Sequence, residues 1–200
     1  MINRKFGSIA FAFCLGLLAS ASCAAASTKD GQFAVEDGGR ASCAAFTKAS
    51  VAKNEAYHRY VGFVEGYLTA ANRYEPNTFD LTPWHTPASI ALILATHCKK
   101  NPKDNLAMAA QRFVVAMAPV RLATFSNILE VGTDKNKTYI YATILKRAQY
   151  ELMRRGLYHG QPSGQFNPET RDALAQFQTA AKLDPTGVPD TATLWSLLNP

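Results

Sequence analysis

The chain has 200 residues, of which 48% are hydrophobic and 18% are charged, a balance that excludes an intrinsically disordered or collagen-like protein. Its formal net charge of +6 includes Arg4 and Lys5 near the start, and the other basic residues are spread along the chain. The clustered Lys/Arg face of a nucleic-acid-binding protein is therefore missing, and no nucleic-acid partner is expected.

The first segment, residues 1–26, has the three parts of a secretory signal peptide. Arg4 and Lys5 precede an apolar stretch that starts at Ile9, and small residues follow it. The apolar stretch is shorter than the roughly 20 residues that a membrane-spanning helix needs. We therefore expect cleavage before Ser27 and export of the mature chain to the periplasm.

Cys23 offers an alternative route of processing. The residues before it, 18–22, resemble the lipobox of bacterial lipoproteins, but Ser20 stands where such boxes usually carry leucine. A lipid on Cys23 would anchor the chain to a membrane without changing its fold. A membrane is a partner only in that case.

Residues 42–119 predict a helical domain, preceded by a flexible N-terminus over residues 27–41. Apolar residues up to Asn72 recur at helical spacing, which indicates one long helix, or two helices separated by a break. Gly62 and Gly66 lie four positions apart in this stretch. The charged residues around them favour close packing of a water-exposed helix over dimerisation in a membrane.

The next stretch, EPNTFDLTPWHTP, is rich in Pro, Asn, Asp and Thr and predicts a loop. Thr86 and Pro87 then have the pattern of a helix N-cap followed by a proline in the first turn. The helix that they begin should end near Lys100, and a further helix is predicted between Pro102 and Pro119.

Two cysteines, Cys43 and Cys98, would remain in the mature chain. Because the periplasm is oxidising, they are expected to form a disulfide, and antiparallel packing of the first two helices would bring them together. Closing a loop of about 56 residues would stabilise the fold by about 4 kcal/mol in the chain-entropy model. A catalytic Cys98 next to His97 is the alternative interpretation of the same residues.

The helical half resembles, over about residues 42–118, small exported proteobacterial domains that are closed by one disulfide. Acid-stress chaperones of the HdeA type and some immunity proteins of type VI secretion are examples. The resemblance rests on the two cysteines and on the segments FVEGYL and CKKNP. It implies a domain that contacts a protein partner, and it transfers no binding residue to this chain.

Residues 120–140 have no clear period and are interpreted as a connector, in which the apolar residues from Val120 to Val131 are compatible with a short helix or a strand. The segment GTDKNK within it is typical of a turn, and a short strand is predicted from Thr138 to Tyr141. The fold class predicted for the chain is mainly α, with two small helical domains on either side of this connector.

The second domain, residues 141–200, contains a repeat at an offset of 23 positions. The repeat pairs Gly164 with Gly187, Asn167 with Asp190, Thr170 with Thr193 and Leu174 with Leu197. Glycine lets the chain turn, Asn or Asp caps the following helix, and leucine lies on the buried side of that helix. With a preceding helix from about Tyr141 to Arg155, the pattern predicts three short helices packed in a bundle.

This segment resembles the peptidoglycan-binding domain of bacterial wall hydrolases and periplasmic proteins. The resemblance covers about residues 142–198 and is carried by Gln149, Leu152, Gly156, Leu157, Tyr158, Gly160, Gly164, Phe166, Pro168, Thr170, Ala173, Leu174, Phe177, Gln178, Leu183, Gly187, Asp190, Thr193, Leu194 and Leu197. Ser163 and Asn167 stand where the family usually has Asp and often Gly, and Asn167 can still cap a helix. The resemblance implies noncovalent attachment to cell-wall peptidoglycan through the turns and the groove that they border.

A glycan or a wall peptide needs an apolar surface and nearby amides or hydroxyls for hydrogen bonds. The predicted ligand-binding residues combine these properties: Tyr158, His159, Gln161 and Phe166. The alternative is that Tyr158 and Phe166 close the core of the bundle. Gln149 and Gln178 would likewise serve only to cap the loops.

Catalytic and metal-binding motifs are missing from the sequence. The histidines have no metal-binding spacing, and no nucleophile elbow, phosphate loop or dinucleotide fingerprint is present. No cofactor and no metal are therefore expected, and the chain is interpreted as a noncatalytic periplasmic protein that binds peptidoglycan. The alternatives are a periplasmic chaperone or immunity-type inhibitor that uses the C-terminal bundle as a scaffold, and a cell-wall hydrolase of unfamiliar design.

Overall fold

The computed structural model describes residues 28–30, 32–133 and 136–199 of the chain. The helices of this part are α1 (Asp37–Arg40), α2 (Cys43–Ala52), α3 (Glu55–Tyr74), α4 (Pro87–Lys100), α5 (Leu106–Met117), α6 (Ala142–Arg154), α7 (Pro168–Ala180) and α8 (Thr191–Leu198). A single two-stranded sheet of the described residues contains β1 (Ile128–Thr133) and β2 (Asn136–Tyr141). The prediction of a mainly α fold is confirmed.

Contacts divide the chain into a unit over Met1–Ala34 and a unit over Val35–Pro200, and every helix and strand named above belongs to the second unit. The predicted signal peptide, its cleavage site before Ser27 and Cys23 lie outside the described residues. In the described ranges, no helix combines the length and the apolar character that crossing a membrane requires.

The chain breaks between α2 and α3 at Lys53. This residue has a left-handed backbone conformation with a φ of 49°, through which a right-handed helix cannot continue. Asn54 then caps α3, because its side chain accepts a hydrogen bond from the backbone N–H of Tyr57 at 3.1 Å. Among the described residues, nothing lies within 4 Å of a Cβ added at Gly62 or Gly66 of α3, so the prediction that these glycines mediate close packing is wrong.

A disulfide joins the start of α2 to the end of α4. Cys43 is the first residue of α2, Cys98 lies in the last turn of α4, and their sulfur atoms are bonded. The core around this bond consists of apolar side chains from α2 to α5, among them Phe46, Val64, Leu68, Leu94, Leu106 and Ala110. The start of α4 is as predicted, because Thr86 accepts a hydrogen bond from the Ser89 N–H and Pro87 lies in the first turn.

The connector contains a β-hairpin. Its antiparallel strands pair Leu129 with Ile140 and Val131 with Thr138. Only β2 was predicted, and it begins two residues earlier than expected. The sequence left the stretch that contains β1 open between a short helix and a strand, because its apolar residues do not alternate with a clear period. Val131 is the only buried residue of that strand.

A second core lies among α6, α7 and α8, the three-helix bundle predicted from the repeat. Its buried side chains include Ile144, Leu145, Leu152, Leu174, Phe177, Leu194 and Leu197. Trp84 and Leu122 also belong to this core, although both precede the bundle in the chain. The loop before α4 therefore contributes a large side chain to the packing of the C-terminal helices.

Polar contacts hold the bundle to the residues that precede it. The guanidinium of Arg147 on α6 donates hydrogen bonds to the backbone carbonyls of Val120 and Arg121, the second at 2.9 Å. Burial lowers the pKa of Arg147. The hydroxyl of Thr191 on α8 donates to the carbonyl of Trp84 at 3.2 Å. The connector and the loop before α4 are thus fixed to the bundle.

Candidate functional site

The turn before α7 is organised by Gln149, a residue of α6 with 0% exposure. Its side-chain oxygen accepts hydrogen bonds from the backbone N–H groups of Ser163 at 2.9 Å and Gly164 at 2.8 Å. Its amide nitrogen donates to the carbonyl of Gln165 at 2.9 Å and to the hydroxyl of Thr170 at 2.8 Å. The hydrogen-bonding capacity of this amide is therefore satisfied inside the protein.

Gln178 of α7 does the same for the turn before α8. Its oxygen accepts from the N–H of Gly187 at 2.7 Å, and its nitrogen donates to the carbonyl of Val188 and the hydroxyl of Thr193, both at 2.9 Å. Gln178 is also 0% exposed. Gln149 and Gln178 do not share the 23-residue offset, so the repeat in the sequence did not reveal that they are equivalent.

Glycines and helix caps complete the two turns. Gly164 and Gly187 have φ values of 77° and 69°, a region that favours glycine. The side chains of Asn167 and Asp190 each accept a 2.8 Å hydrogen bond from the backbone N–H three residues later. The turns and caps predicted from the repeat are therefore present in both copies, and each turn is bonded to a buried glutamine.

A groove of about 190 Å³ lies between the two turns. Its lining comes from the end of β1, the first turn with the start of α7, and the second turn: Gly132, Thr133, Phe166, Asn167, Pro168, Arg171, Thr186 and Val188. Apolar surface thus lies next to hydroxyl, amide and guanidinium groups, which is the mixture that a glycan or a wall peptide requires. None of these described lining side chains is acidic.

A known protein family matches the segment that carries both turns. Residues 143–197 match the model of a family described as a putative peptidoglycan binding domain. We call residues 143–197 the matched segment. The match confirms the resemblance expected for the C-terminal bundle and supports peptidoglycan binding by this part of the chain.

No family match covers the residues outside 143–197. No curated protein and no solved structure shows a significant match. The resemblance of the helical half to exported chaperones or immunity proteins therefore stays a prediction. The hairpin precedes the matched segment, although it supplies two of the residues that line the groove.

Of the predicted ligand-binding residues, Phe166 lines the groove between the two repeat turns, and the other three do not. Tyr158 is 2% exposed and packs in the second core, where its hydroxyl lies 3.3 Å from the carbonyl oxygen of Gln161. His159 and Gln161 are exposed. The His159 backbone N–H donates to the carboxylate of Glu169 at 3.1 Å.

The structure thus brings Tyr158, His159 and Gln161 together in the loop after α6. Burial of the Tyr158 ring agrees with the alternative of core packing for that residue. Phe166 is partly buried and packs against the same core while it also lines the groove. Contact of these four residues with a ligand stays a prediction.

Sequence reasoning missed several groove residues. Arg171 lies in the first turn of α7, and its side chain is 51% exposed. Its Nε and Nη2 atoms donate to the carboxylate of Asp172 at 2.9 and 2.8 Å. Thr186 and Val188 flank Gly187, and their place beside a turn glycine of the repeat is the signal that could have identified them.

A second, larger groove of about 790 Å³ lies between α4 and α8. Its lining is mainly apolar and includes the exposed side chains of Leu92 and Trp195. Lys100 lies at the C-terminal end of α4 in the same groove. None of the four predicted ligand-binding residues is part of it.

The described histidines and cysteines form neither a metal site nor a free thiol. Among the described residues, no group of three or more His, Cys, Asp or Glu side chains is placed to hold a metal ion. The Cys98 sulfur is bonded to Cys43 and is therefore not a thiol. His97 lies 3.0 Å from the carboxylate of Asp104, which also pairs with Arg112 at 3.5 Å.

Proposed function

We propose that this chain is a noncatalytic periplasmic protein that binds peptidoglycan through the groove between its two repeat turns. The observation that carries the proposal is the position of this groove at the turns of the matched family segment. The apolar surface of Phe166 lies there next to the polar groups of Asn167 and Arg171, and the buried Val188 forms part of the base.

The buried glutamines support this function because they fix the groove before any ligand arrives. The first turn is bonded to Gln149 and the second to Gln178, each through several hydrogen bonds. A site whose backbone is already ordered loses less conformational entropy on binding.

Export is part of the proposal. Residues 1–26 have the composition of a signal peptide, and peptidoglycan lies outside the inner membrane, so leader and ligand imply the same compartment. The Cys43–Cys98 bond supports this, since disulfides persist in oxidising compartments. Mass spectrometry of the mature N-terminus should find Ser27 first, or a lipid on Cys23. An uncleaved leader would contradict export.

Sedimentation with purified sacculi tests the binding function. The full mature chain should pellet with sacculi, and Phe166→Ala should reduce the pelleted fraction because it removes apolar surface from the groove. Tyr150→Ala is the matched control, since Tyr150 is an exposed aromatic residue of α6 that does not line the groove. Absence of pelleting by the unmodified chain would overturn the proposal.

The same incubation tests the noncatalytic part of the proposal. The matched family is a binding domain, and the sequence contains no familiar catalytic motif. Sacculi incubated with the protein should therefore release no soluble muropeptides. Release that depends on the protein would show a wall-cleaving activity.

A second candidate function is a chaperone or immunity-type inhibitor in which the helical half binds apolar segments of a protein. The observation that favours it is the groove between α4 and α8, where Leu92 is 67% exposed. Suppression of client aggregation at low pH should then be weakened by Leu92→Ser. Val115→Ser is the control, because Val115 is 69% exposed and lies outside the groove.

A further inference from the structure

Peptidoglycan offers two chemically different parts to a binding protein. Its glycan strands present sugar rings, whose faces bind best to broad aromatic surfaces. Its peptide stems present small side chains and carboxylates. The dimensions and charge of the groove between the repeat turns distinguish these two parts.

The groove is poorly suited to a sugar chain. Its volume of about 190 Å³ is below the range of about 300–1,000 Å³ that is usual for sites enclosing a whole small molecule. Phe166 is the one aromatic residue among the described lining residues, and its ring is partly committed to the second core. A broad stacking platform for successive sugar rings is therefore not offered by this lining.

The charge of the groove favours a carboxylate. Arg171 is the only ionisable side chain in the described lining, and it is half exposed. Asp172 accepts from Nε and Nη2 of Arg171, so the N–H donors of Nη1 are not used by that pair. Glu169, the acidic residue of the same helical turn, instead accepts from the His159 N–H. Arginine binds carboxylates through strong, charge-assisted hydrogen bonds.

The hairpin forms part of the groove wall. Gly132 and Thr133 at the end of β1 line the groove, although both precede the matched segment at residues 143–197. The Thr133 side chain is exposed and adds a hydroxyl to the lining. Ligand selection in this chain thus includes residues that the family segment does not contain.

We infer that this groove binds the carboxylate-bearing peptide stem of peptidoglycan, with Arg171 binding the carboxylate and the β1 end of the hairpin forming part of the wall. The apolar surface of Phe166 contacts the small side chains of the stem. The inference rests on the proposed function and names the part of the polymer that is recognised.

Calorimetric titration of the full mature chain with two soluble probes tests the inference. The probes are the stem tripeptide released from sacculi and an uncharged tetramer of N-acetylglucosamine. The tripeptide should bind, and the sugar tetramer should not. Arg171→Gln should weaken tripeptide binding about tenfold or more, because a charge-assisted hydrogen bond is lost. Arg154→Gln should leave binding unchanged, since Arg154 is an exposed arginine of α6 outside the groove.

A second pair of variants tests the part of the groove that the hairpin forms. Thr133→Glu should weaken tripeptide binding more than Thr133→Gln, because the two side chains have similar size and only glutamate repels the carboxylate of the stem. Equal effects of the two variants would contradict a role for the hairpin near the carboxylate.

The outcomes separate this inference from the proposed function. If the unmodified chain pellets with sacculi but binds the sugar tetramer and not the tripeptide, the inference is overturned and peptidoglycan binding stands. Unchanged tripeptide binding by Arg171→Gln overturns the role of Arg171. Absence of pelleting overturns the proposed function itself. Thermal unfolding of each variant shows that a loss of binding is not a loss of fold.

Discussion

Replacing Gln149 by leucine removes the amide that organises the first repeat turn while it keeps a side chain of similar size in the core. The backbone N–H of Gly164 is buried and would lose its partner, as would the N–H of Ser163 and the carbonyl of Gln165. Each polar group left buried without a partner costs about 1–3 kcal/mol. Because the two flanking groups are partly exposed and can bind water, we expect a total loss of about 3–5 kcal/mol in the free energy of unfolding.

Urea unfolding followed by circular dichroism measures this loss, and amide hydrogen exchange at Gly164 shows whether the turn itself has opened. Gln165→Leu is the control, because the Gln165 side chain is exposed and its replacement should cost less than about 0.5 kcal/mol. Gln178→Leu should cost about as much as Gln149→Leu, since it breaks the equivalent network. An unfolding free energy of Gln149→Leu within about 1 kcal/mol of the unmodified chain, with unchanged exchange at Gly164, would refute this reasoning.

Three further changes test the packing of the chain. Burial lowers the pKa of His85 to about 4 from 6.5, so the unfolded chain takes up the proton first as the pH falls. As the pH falls from about 6.5 to about 4, protonation of His85 should lower the free energy of unfolding by about 1–2 kcal/mol, a figure reduced for the partial exposure of the ring. Urea unfolding of His85→Phe should lack that part of the pH dependence. Replacing Cys43 and Cys98 together by serine should lower the unfolding free energy by about 4 kcal/mol without reductant, and a loss below about 1 kcal/mol would contradict the stabilising role of the bond. Gly187→Ala should lower the thermal midpoint of unfolding, because φ is 69° and an added Cβ would lie 2.6 Å from a side chain of α7. Gly62→Ala should raise the midpoint, because Gly62 lies within a helix and has no described neighbour within 4 Å of an added Cβ. Equal shifts in the two variants would show the reasoning to be wrong.

The surroundings of His85 explain why its titration should be visible. Its ring stacks on Trp84 and meets the rings of Phe113 and Trp195 edge-on, with centroids 5.3, 6.1 and 5.7 Å away. In the described part of the chain, neither ring nitrogen has a hydrogen-bond partner. The backbone of Thr82 raises the pKa of His85, but by less than burial lowers it. A proton on this ring would therefore place a charge among aromatic side chains from both cores.

Much of the C-terminal bundle follows from signals within a few residues of one another. The caps Asn167 and Asp190 bind N–H groups three residues later, and the glycines of the turns adopt conformations that other residues avoid. The two buried glutamines were not identified as equivalent, because their partners lie 15 and 9 positions away and the two offsets differ. A repeat of fixed length cannot reveal a contact whose spacing changes between its copies.

The candidate site was predicted only in part. Phe166 lies at the groove, whereas Tyr158 is buried in the core. The sequence did not distinguish these two positions, because an aromatic side chain beside a turn can face either way. The contribution of Thr133 could not be predicted, because the strand that carries it was interpreted as an irregular connector. Its single buried residue left no pattern to identify.

The amino-acid sequence by itself determined most of the helices, the caps Thr86, Asn167 and Asp190, the two glycine turns and the likeness to a peptidoglycan-binding domain, because these depend on interactions between residues close together in the chain. It did not predict α1, which lies in the segment expected to be a flexible N-terminus. The tertiary structure decided which side chains share the groove and how the loop before α4 packs on the C-terminal bundle. Trp84 enters the second core, and its carbonyl accepts a hydrogen bond from Thr191, 107 positions away. Such contacts form only when the whole chain packs, since their energy comes from burial and hydrogen bonding between segments whose spacing leaves no period in the sequence.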